Sequence, residues 1–91
     1  MRKLTIKVIG PETDYATYTL YLWFLTEVID ILRSELSEDV EVEINWIKDI
    51  PEDGTYPKVL INGDEVLVGI PSDPGYVYES IRSYLVRRGI L

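Results

Sequence analysis

The chain contains neither cysteine nor histidine in its 91 residues. This absence excludes thiol chemistry, disulfide cross-links, imidazole catalysis and ordinary zinc sites. Glutamine is also absent, methionine occurs once, and the only asparagines are Asn45 and Asn62. A shortage of thermolabile side chains beside abundant glutamate and isoleucine is typical of a thermophilic source. Carboxylates, tyrosines and the backbone remain as the groups that can carry a function.

Basic residues and long apolar runs are also scarce. The apolar run from Leu20 to Leu25 is far short of the roughly 20 residues that a membrane helix needs. The residues after Lys3 alternate in polarity and do not form an apolar signal region. We therefore expect a cytoplasmic protein with no membrane partner. The net charge of -7 repels phosphate backbones, so nucleic acid is not an expected partner either.

The first part of the chain predicts a strand followed by a long helix. Apolar residues alternate with less buried positions in a strand whose inner face is formed by Leu4, Ile6 and Val8. Thr13 or Asp14 can cap a helix that runs to Leu36. Within it, apolar residues recur at helical spacing, at Leu20, Phe24, Val28, Ile31 and Leu32.

The clearest strand pattern of the chain extends from Val40 to Trp46. Glu41 and Glu43 lie on its water-facing side. Two carboxylates at this spacing could bind a hard metal ion, but no third ligand accompanies them. We interpret them as a charged edge that discourages aggregation, and we expect neither a metal nor a cofactor.

A loop, a hairpin and a helix are predicted for the rest of the chain. The loop over residues 48–56 is expected to be irregular, with at most one helical turn. The Asn62-Gly63 pair predicts a tight turn between strands at residues 58–61 and 65–68. The last helix is expected to begin at the Asp73 cap and to end at Gly89.

These elements predict a single α+β domain over residues 1–91. A strand, a helix and a second strand form a right-handed crossover, so the two strands are expected to be parallel. The hairpin adds two more, which gives a mixed four-stranded sheet. No helix separates the second and third strands, so both helices are expected to cover one face and leave the other exposed to water.

The segment from Thr55 to Val66 resembles the glutaredoxin pattern of Thr-Val-Pro, a short hydrophobic strand and Ile-Asn-Gly. The turn from Gly69 to Ser72 is similar to the Gly-Ala-Pro-Thr type of turn in small archaeal glutaredoxin-like proteins. With gaps, the resemblance covers nearly the whole chain. It implies a thioredoxin-like β-α-β-β-β-α fold and a cis peptide bond between Tyr56 and Pro57.

The chain departs from this family in one decisive respect. Family members have a Cys-X-X-Cys motif at the amino end of the first helix, where the helix dipole lowers the thiol pKa. By counting, Thr13 and Ala16 stand where these cysteines would be, and neither can exchange disulfides. The loop before Tyr56 is also shorter than the helix-bearing segment of most family members, which would uncover one face of the sheet.

Two groups of residues are candidates for binding. Thr13, Asp14 and Tyr15 lie at a helix amino terminus, which attracts anions, although capping explains Thr13 and Asp14 equally well. The resemblance implies that Tyr56, before Pro57, exposes a backbone edge that pairs with an extended peptide. The alternative is that this turn is only a structural relic of the family.

The aromatic amino-terminal half of the first helix is a candidate interface. It contains Tyr18, Tyr21, Leu22 and Trp23, and almost no polar face before Thr26. Such residues are enriched at protein interfaces, and they are also ordinary core residues. A helix that is apolar nearly all round has to bury a second side, and another subunit could cover it.

These observations favour a redox-inactive glutaredoxin-like domain that binds a protein or peptide, or forms a homodimer. One alternative is a thiol:disulfide oxidoreductase whose cysteines are absent or replaced in this sequence. A further alternative is a transferase that activates a thiol cofactor through the hydroxyl of Tyr15 or Tyr56. This last hypothesis requires one of those tyrosines to lie in a cleft.

Overall fold

The computed structural model describes residues 2–91 and consists of one sheet with helices packed against it. The first helical run is continuous from Tyr15 to Glu35, with a π-helical turn inside it. The elements in chain order are β1 (Arg2–Ile9), α1 (Tyr15–Thr19), the π-turn (Leu20–Phe24), α2 (Leu25–Glu35), β2 (Val40–Ile47), β3 (Lys58–Ile61), β4 (Asp64–Val68) and α3 (Pro74–Arg87).

The sheet is mixed and four-stranded, as the sequence predicts, with the strand order β2-β1-β3-β4. β1 is parallel to β2 and antiparallel to β3, and β4 pairs antiparallel to β3. The parallel pair requires the helical crossover between β1 and β2, whereas the short connection between β3 and β4 suffices for an antiparallel hairpin. β1 therefore lies inside the sheet, and β2 and β4 form its edges.

One face of the sheet carries the hydrophobic core. Ile6 and Val8 of β1 pair in register with Ile61 and Val59 of β3, and these four residues and Leu4 of β1 are buried. The same core contains Val28 and Leu32 of α2 and Ile81 and Leu85 of α3. Both helices therefore pack on this face, and the opposite face presents exposed Lys3 and Lys7.

The π-turn changes which side of the first helical run faces the core. The amide of Leu25 donates to the carbonyl of Leu20, a spacing of five residues instead of four. A π-turn holds one extra residue, so the residues after it are rotated relative to a continuous α-helix. Ile31, one of the apolar positions that recur at helical spacing, is 51% exposed, whereas Leu25 and Ile29, which lie outside that set, are buried.

The remaining local predictions agree with the structure. The loop before β3 contains only a turn, closed by the Gly54 amide and the Pro51 carbonyl at 2.9 Å, and no helix. Gly63 has a φ of 90°, a conformation that glycine adopts without steric cost. Asp73 caps α3 by accepting a hydrogen bond from the Gly75 amide, and Pro74 occupies the first helical position.

Candidate functional site

The ends of three strands meet at one end of the sheet. Ile9, the last residue of β1, pairs with Ile47 at the end of β2 and with Lys58 at the start of β3. The segments that follow Ile9 and Ile47, and the segment that precedes Lys58, therefore lie side by side. The Gly69 amide donates to the Pro57 carbonyl at 2.7 Å and brings the chain after β4 to the same end. We call this region the Pro57 end of the sheet.

Asp14 caps the first helical run at this end. Its carboxylate accepts hydrogen bonds from the Thr17 amide at 2.9 Å and from the Thr17 hydroxyl at 2.7 Å. Thr17 is fully buried. Asp14 is therefore the capping residue of this helical run, and its partner is Thr17. Thr13, the other capping candidate, is exposed and forms no hydrogen bond within residues 2–91.

Gly10 connects β1 to this cap through a very close contact with Thr17. A Cβ atom on Gly10 would lie 2.3 Å from Thr17 Oγ1 and 2.6 Å from Thr17 Cγ2. Atoms in real structures do not approach this closely, so no side chain fits here without movement of Thr17. The absence of a side chain at this position lets the strand end pack directly against the first helical turn.

An aromatic cluster surrounds Trp46 near the Pro57 end. The indole Nε1 of Trp46 donates to the Gly10 carbonyl at 3.0 Å. The ring of Tyr21 lies 5.1 Å from it and that of Tyr18 lies 6.3 Å away, and Lys48 Nζ is 5.3 Å from the Trp46 ring. Tyr21 is half-buried within its own chain through this contact. The sequence predicts Trp46 only as part of a strand. Its hydrogen-bond partner Gly10 lies 36 residues away along the chain, so no local pattern indicates the contact.

The peptide bond between Tyr56 and Pro57 is cis, as the resemblance implies. Pro57 is buried, whereas Tyr56 is 37% exposed. The backbone amide and carbonyl of Tyr56 form no hydrogen bond within the described part of the chain. They are therefore available to an external strand or peptide.

Asp53 forms hydrogen bonds with the backbone and side chain of Thr55 before Tyr56 and with the side chain of Lys58 after it. Its carboxylate accepts hydrogen bonds from the Thr55 amide at 3.1 Å, from the Thr55 hydroxyl at 2.9 Å and from Lys58 Nζ at 2.7 Å. The hydrogen bond from Lys58, followed by those from Thr55, lowers the pKa of Asp53 to about 2. In turn, the hydrogen bond to the Asp53 carboxylate raises the pKa of Lys58.

A second candidate site faces away from the core on the first helical run. Four large side chains are exposed there: Tyr15 by 82%, Tyr18 by 46%, Leu22 by 41% and Trp23 by 67%. We call these four residues the aromatic surface. Tyr15 lies in no cleft and Tyr56 is only partly covered, so the geometry does not support the transferase hypothesis, which needs an enclosed tyrosine.

Two polar clusters that the sequence did not predict bind α3 to the rest of the fold. Tyr78 and Arg82 of α3 both donate to the carboxylate of Glu35 at the end of α2. The Tyr78 hydroxyl, with Arg82, holds the pKa of Glu35 below its usual range. In the second cluster, Tyr84 and Arg88 both donate to Asp64 Oδ2, at 2.5 Å and 2.8 Å. Both clusters connect residues that are far apart in the sequence, so no local sequence pattern predicts them.

Glu43 on the acidic side of β2 forms an ion pair with Lys3 of the neighbouring strand β1. Lys3 Nζ lies 2.6 Å from Glu43 Oε2, which lowers the pKa of that carboxyl through the hydrogen bond and the lysine charge. Within residues 2–91, no group of three or more potential ligands is arranged to hold a metal ion. The helices described over the same residues include none with the length and apolarity that crossing a membrane requires.

A scan against protein-family models and a search of curated proteins found no match to this chain.

Proposed function

We propose that this chain is a thioredoxin-like domain that acts by binding a protein or peptide partner and not by thiol chemistry. The observation that carries the proposal is the aromatic surface. Single exposed apolar residues are normal in proteins, but a contiguous group of large ones marks an interaction site. Tyr15 and Trp23 are 82% and 67% exposed on the same side of one helical run.

The thioredoxin-like part of the proposal rests on the resemblance together with the element order. The order strand, helix, strand, strand, strand, helix and the mixed sheet are those that the resemblance implies. The outer face of the sheet is uncovered, as expected from the short loop before Tyr56. Fold likeness does not establish function, so the activity is argued from the surface alone.

The amino end of the first helical run supports binding over redox chemistry. In the resembled family this place holds two thiols, and the positions that counting assigns to them are Thr13 and Ala16 here, neither of which can exchange disulfides. Asp14 and Thr17 are hydrogen-bonded to each other and serve as cap and core, so both side chains already have a structural role. The residues at this position suit a stable helix start.

The backbone of Tyr56 offers a second contact for a peptide partner. Its unpaired amide and carbonyl lie next to β3, where an extended peptide could form strand-like hydrogen bonds. Asp53 fixes the residues on either side, so little conformational entropy would be lost when a peptide binds. The aromatic surface and this backbone edge are the two surfaces through which we propose that the domain binds.

Site-specific photo-crosslinking in expressing cells tests the proposal. The photoreactive amino acid benzoylphenylalanine replaces Tyr15 or Trp23, and in a control it replaces Tyr76 of α3, which is 61% exposed. We expect discrete cross-linked species from positions 15 and 23 that are absent from position 76. Irradiation of the purified chain alone then identifies any product that contains a second copy.

The same experiment can contradict the proposal. Identical products from all three positions would mean that the aromatic surface is no more reactive toward partners than any exposed aromatic residue. No product from positions 15 and 23 would mean that this surface has no stable partner under those conditions, and the binding proposal would then be wrong for it.

A further inference from the structure

A shallow groove of about 390 Å³ lies where the π-turn passes into α2. It is lined by Leu22, Trp23, Phe24, Thr26, Glu27 and Asp30. Glu27 follows Trp23 by four residues and Asp30 follows Glu27 by three, a spacing that places these side chains on one side of the helix. The groove therefore combines an exposed indole with two carboxylates.

The two carboxylates of the groove are unpaired in the part of the chain that the structure describes. Neither Glu27 nor Asp30 forms an ion pair or a side-chain hydrogen bond within residues 2–91. By contrast, Glu12, Glu35, Glu43 and Asp53 are each paired with a lysine or an arginine. Unpaired carboxylates beside an apolar groove attract a cation, because a cation gains from the charges and from the indole at once.

Among biological cations, the guanidinium group of arginine fits this combination best. Its planar group stacks on an indole ring while its N–H groups donate to carboxylates in a bidentate manner. Lysine offers a point charge and lacks the stacking surface. Leu22, exposed by 41% at the same groove, would contact an aliphatic side chain next to the arginine.

A second copy of this chain fits the groove less well. Each copy carries a net charge of -7, and a helix-to-helix contact through this groove would place the carboxylates of two copies near one another. Like charges brought together at an interface cost several kcal/mol and act against the wrong partner. The charge of the groove thus favours a basic partner over self-association.

We propose that this groove binds a protein segment that presents an arginine beside an aliphatic residue, with the guanidinium over Trp23 and between Glu27 and Asp30. The inference rests on the proposed binding function and adds the chemistry of the partner. The groove includes residues of the π-turn, a kind of turn that occurs frequently at functional sites, and two of them, Leu22 and Trp23, are exposed to water.

Titration of the ¹⁵N-labelled chain with the peptide acetyl-Leu-Arg-Leu-Arg-amide, followed by NMR, tests this inference. We expect saturable shifts of the Trp23 indole N–H and of the amides of residues 22–30. The affinity should fall with rising salt, because the carboxylates are exposed and screened. Exchange of both arginines for neutral citrulline should weaken binding by about fivefold or more.

Two matched variants separate the groove from general charge. E27Q/D30N should weaken binding of the arginine peptide by about three- to tenfold. E38Q/E52Q removes the same number of charges from exposed carboxylates that form no ion pair in residues 2–91, and it should bind like the unmodified chain. W23A should lose about fivefold or more, since Trp23 supplies the stacking surface.

The contrary results are equally distinct. If the citrulline peptide shifts Trp23 with the same affinity, the aromatic surface binds peptides but the arginine inference is wrong. If E27Q/D30N and E38Q/E52Q weaken binding equally, the attraction is only that of the net charge, and the inference is also wrong. No shift of Trp23 up to about 10 mM peptide would overturn it. Shifts that follow protein concentration without peptide would assign the groove to a second copy.

Discussion

At the scale of single residues, the contact between Gly10 and Thr17 determines how β1 connects to the first helical run. We predict that Gly10→Ala destabilises the protein by about 1–3 kcal/mol, because its Cβ would overlap a buried side chain. The new Cβ would lie only 2.3 Å from Thr17 Oγ1, and a small adjustment cannot relieve so close a contact. Urea unfolding of the two proteins measures the difference.

A second substitution shows whether Thr17 is the cause. Thr17→Ala removes Oγ1 and Cγ2, the two atoms nearest to the new Cβ, and leaves only the Cβ of residue 17 at 3.0 Å. In the double variant the cost of Gly10→Ala should therefore fall, with a coupling free energy of about 1 kcal/mol or more. Additive effects would show that Gly10 is needed for another reason.

The Asp53 carboxylate predicts a pH dependence of the loop before β3. Its pKa falls from the ordinary value of 3.8 to about 2 in the folded chain, chiefly through the hydrogen bond from Lys58. A carboxylate whose pKa is lower in the folded than in the unfolded state stabilises the protein at pH values above the unfolded pKa. This stabilisation is lost as the pH falls through the folded pKa and the carboxylate is protonated. We expect the amide signals of Thr55 and Tyr56 in the folded chain to shift as the pH falls below about 4, with a midpoint near pH 2.

The control for this transition is a neutral side chain at the same position. In Asp53→Asn the shift of the Thr55 amide with that low midpoint should disappear, whereas Glu52→Gln, next to it and exposed, should leave it in place. A transition that persists in Asp53→Asn would assign it to another carboxylate. In that case Asp53 would not be the group that positions Tyr56.

At the scale of elements, the π-turn is the feature that local patterns could not predict. Deletion of Leu22, which is 41% exposed, should convert the run to a continuous α-helix and keep both Leu20 and Leu25 on the core side. We predict that this variant folds with a stability within about 1 kcal/mol of the original. Thermal and urea unfolding check the prediction.

Deletion of a different exposed residue should behave in the opposite way. Thr26 lies in α2 beyond the π-turn, so its deletion rotates Leu25 relative to Val28 and Leu32 within an ordinary helix. We expect a loss of about 3 kcal/mol or more, because buried leucines would turn toward water. Equal stability of the two deletions would mean that the π-turn does not set the orientation of the helix.

The hairpin and α3 could be predicted because their signals are local. Asn62-Gly63 and the Asp73-Pro74 start each act within a few residues of the structure that they form. The orientation of α2 depends on packing against the whole sheet, and the Trp46 contact with Gly10 joins distant segments. Such features arise from the tertiary structure, so helical spacing alone does not show that Ile31 is exposed, and the strand pattern alone does not place Trp46 beside Gly10.

At the scale of the whole molecule, the charge distribution opposes self-association through the aromatic surface. We therefore predict that the purified chain remains a monomer of 10.5 kDa in light scattering at low salt, from about 10 µM to about 1 mM. Repulsion between copies that each carry a charge of -7 is strongest there, and Glu27 and Asp30 line the same groove as the exposed Trp23.

The change of the measured mass with salt and with the charge variants shows whether copies associate through the groove. Higher salt screens the repulsion, so a weak apolar contact between copies would raise the measured mass with salt. E27Q/D30N would raise it further, whereas E38Q/E52Q, with the same net charge, would not if the groove is the contact. A mass of two chains already at low salt would contradict the prediction and would make a second copy the partner of the aromatic surface. A monomer under every condition leaves that surface open to an external basic partner, which is the partner that its unpaired carboxylates suit.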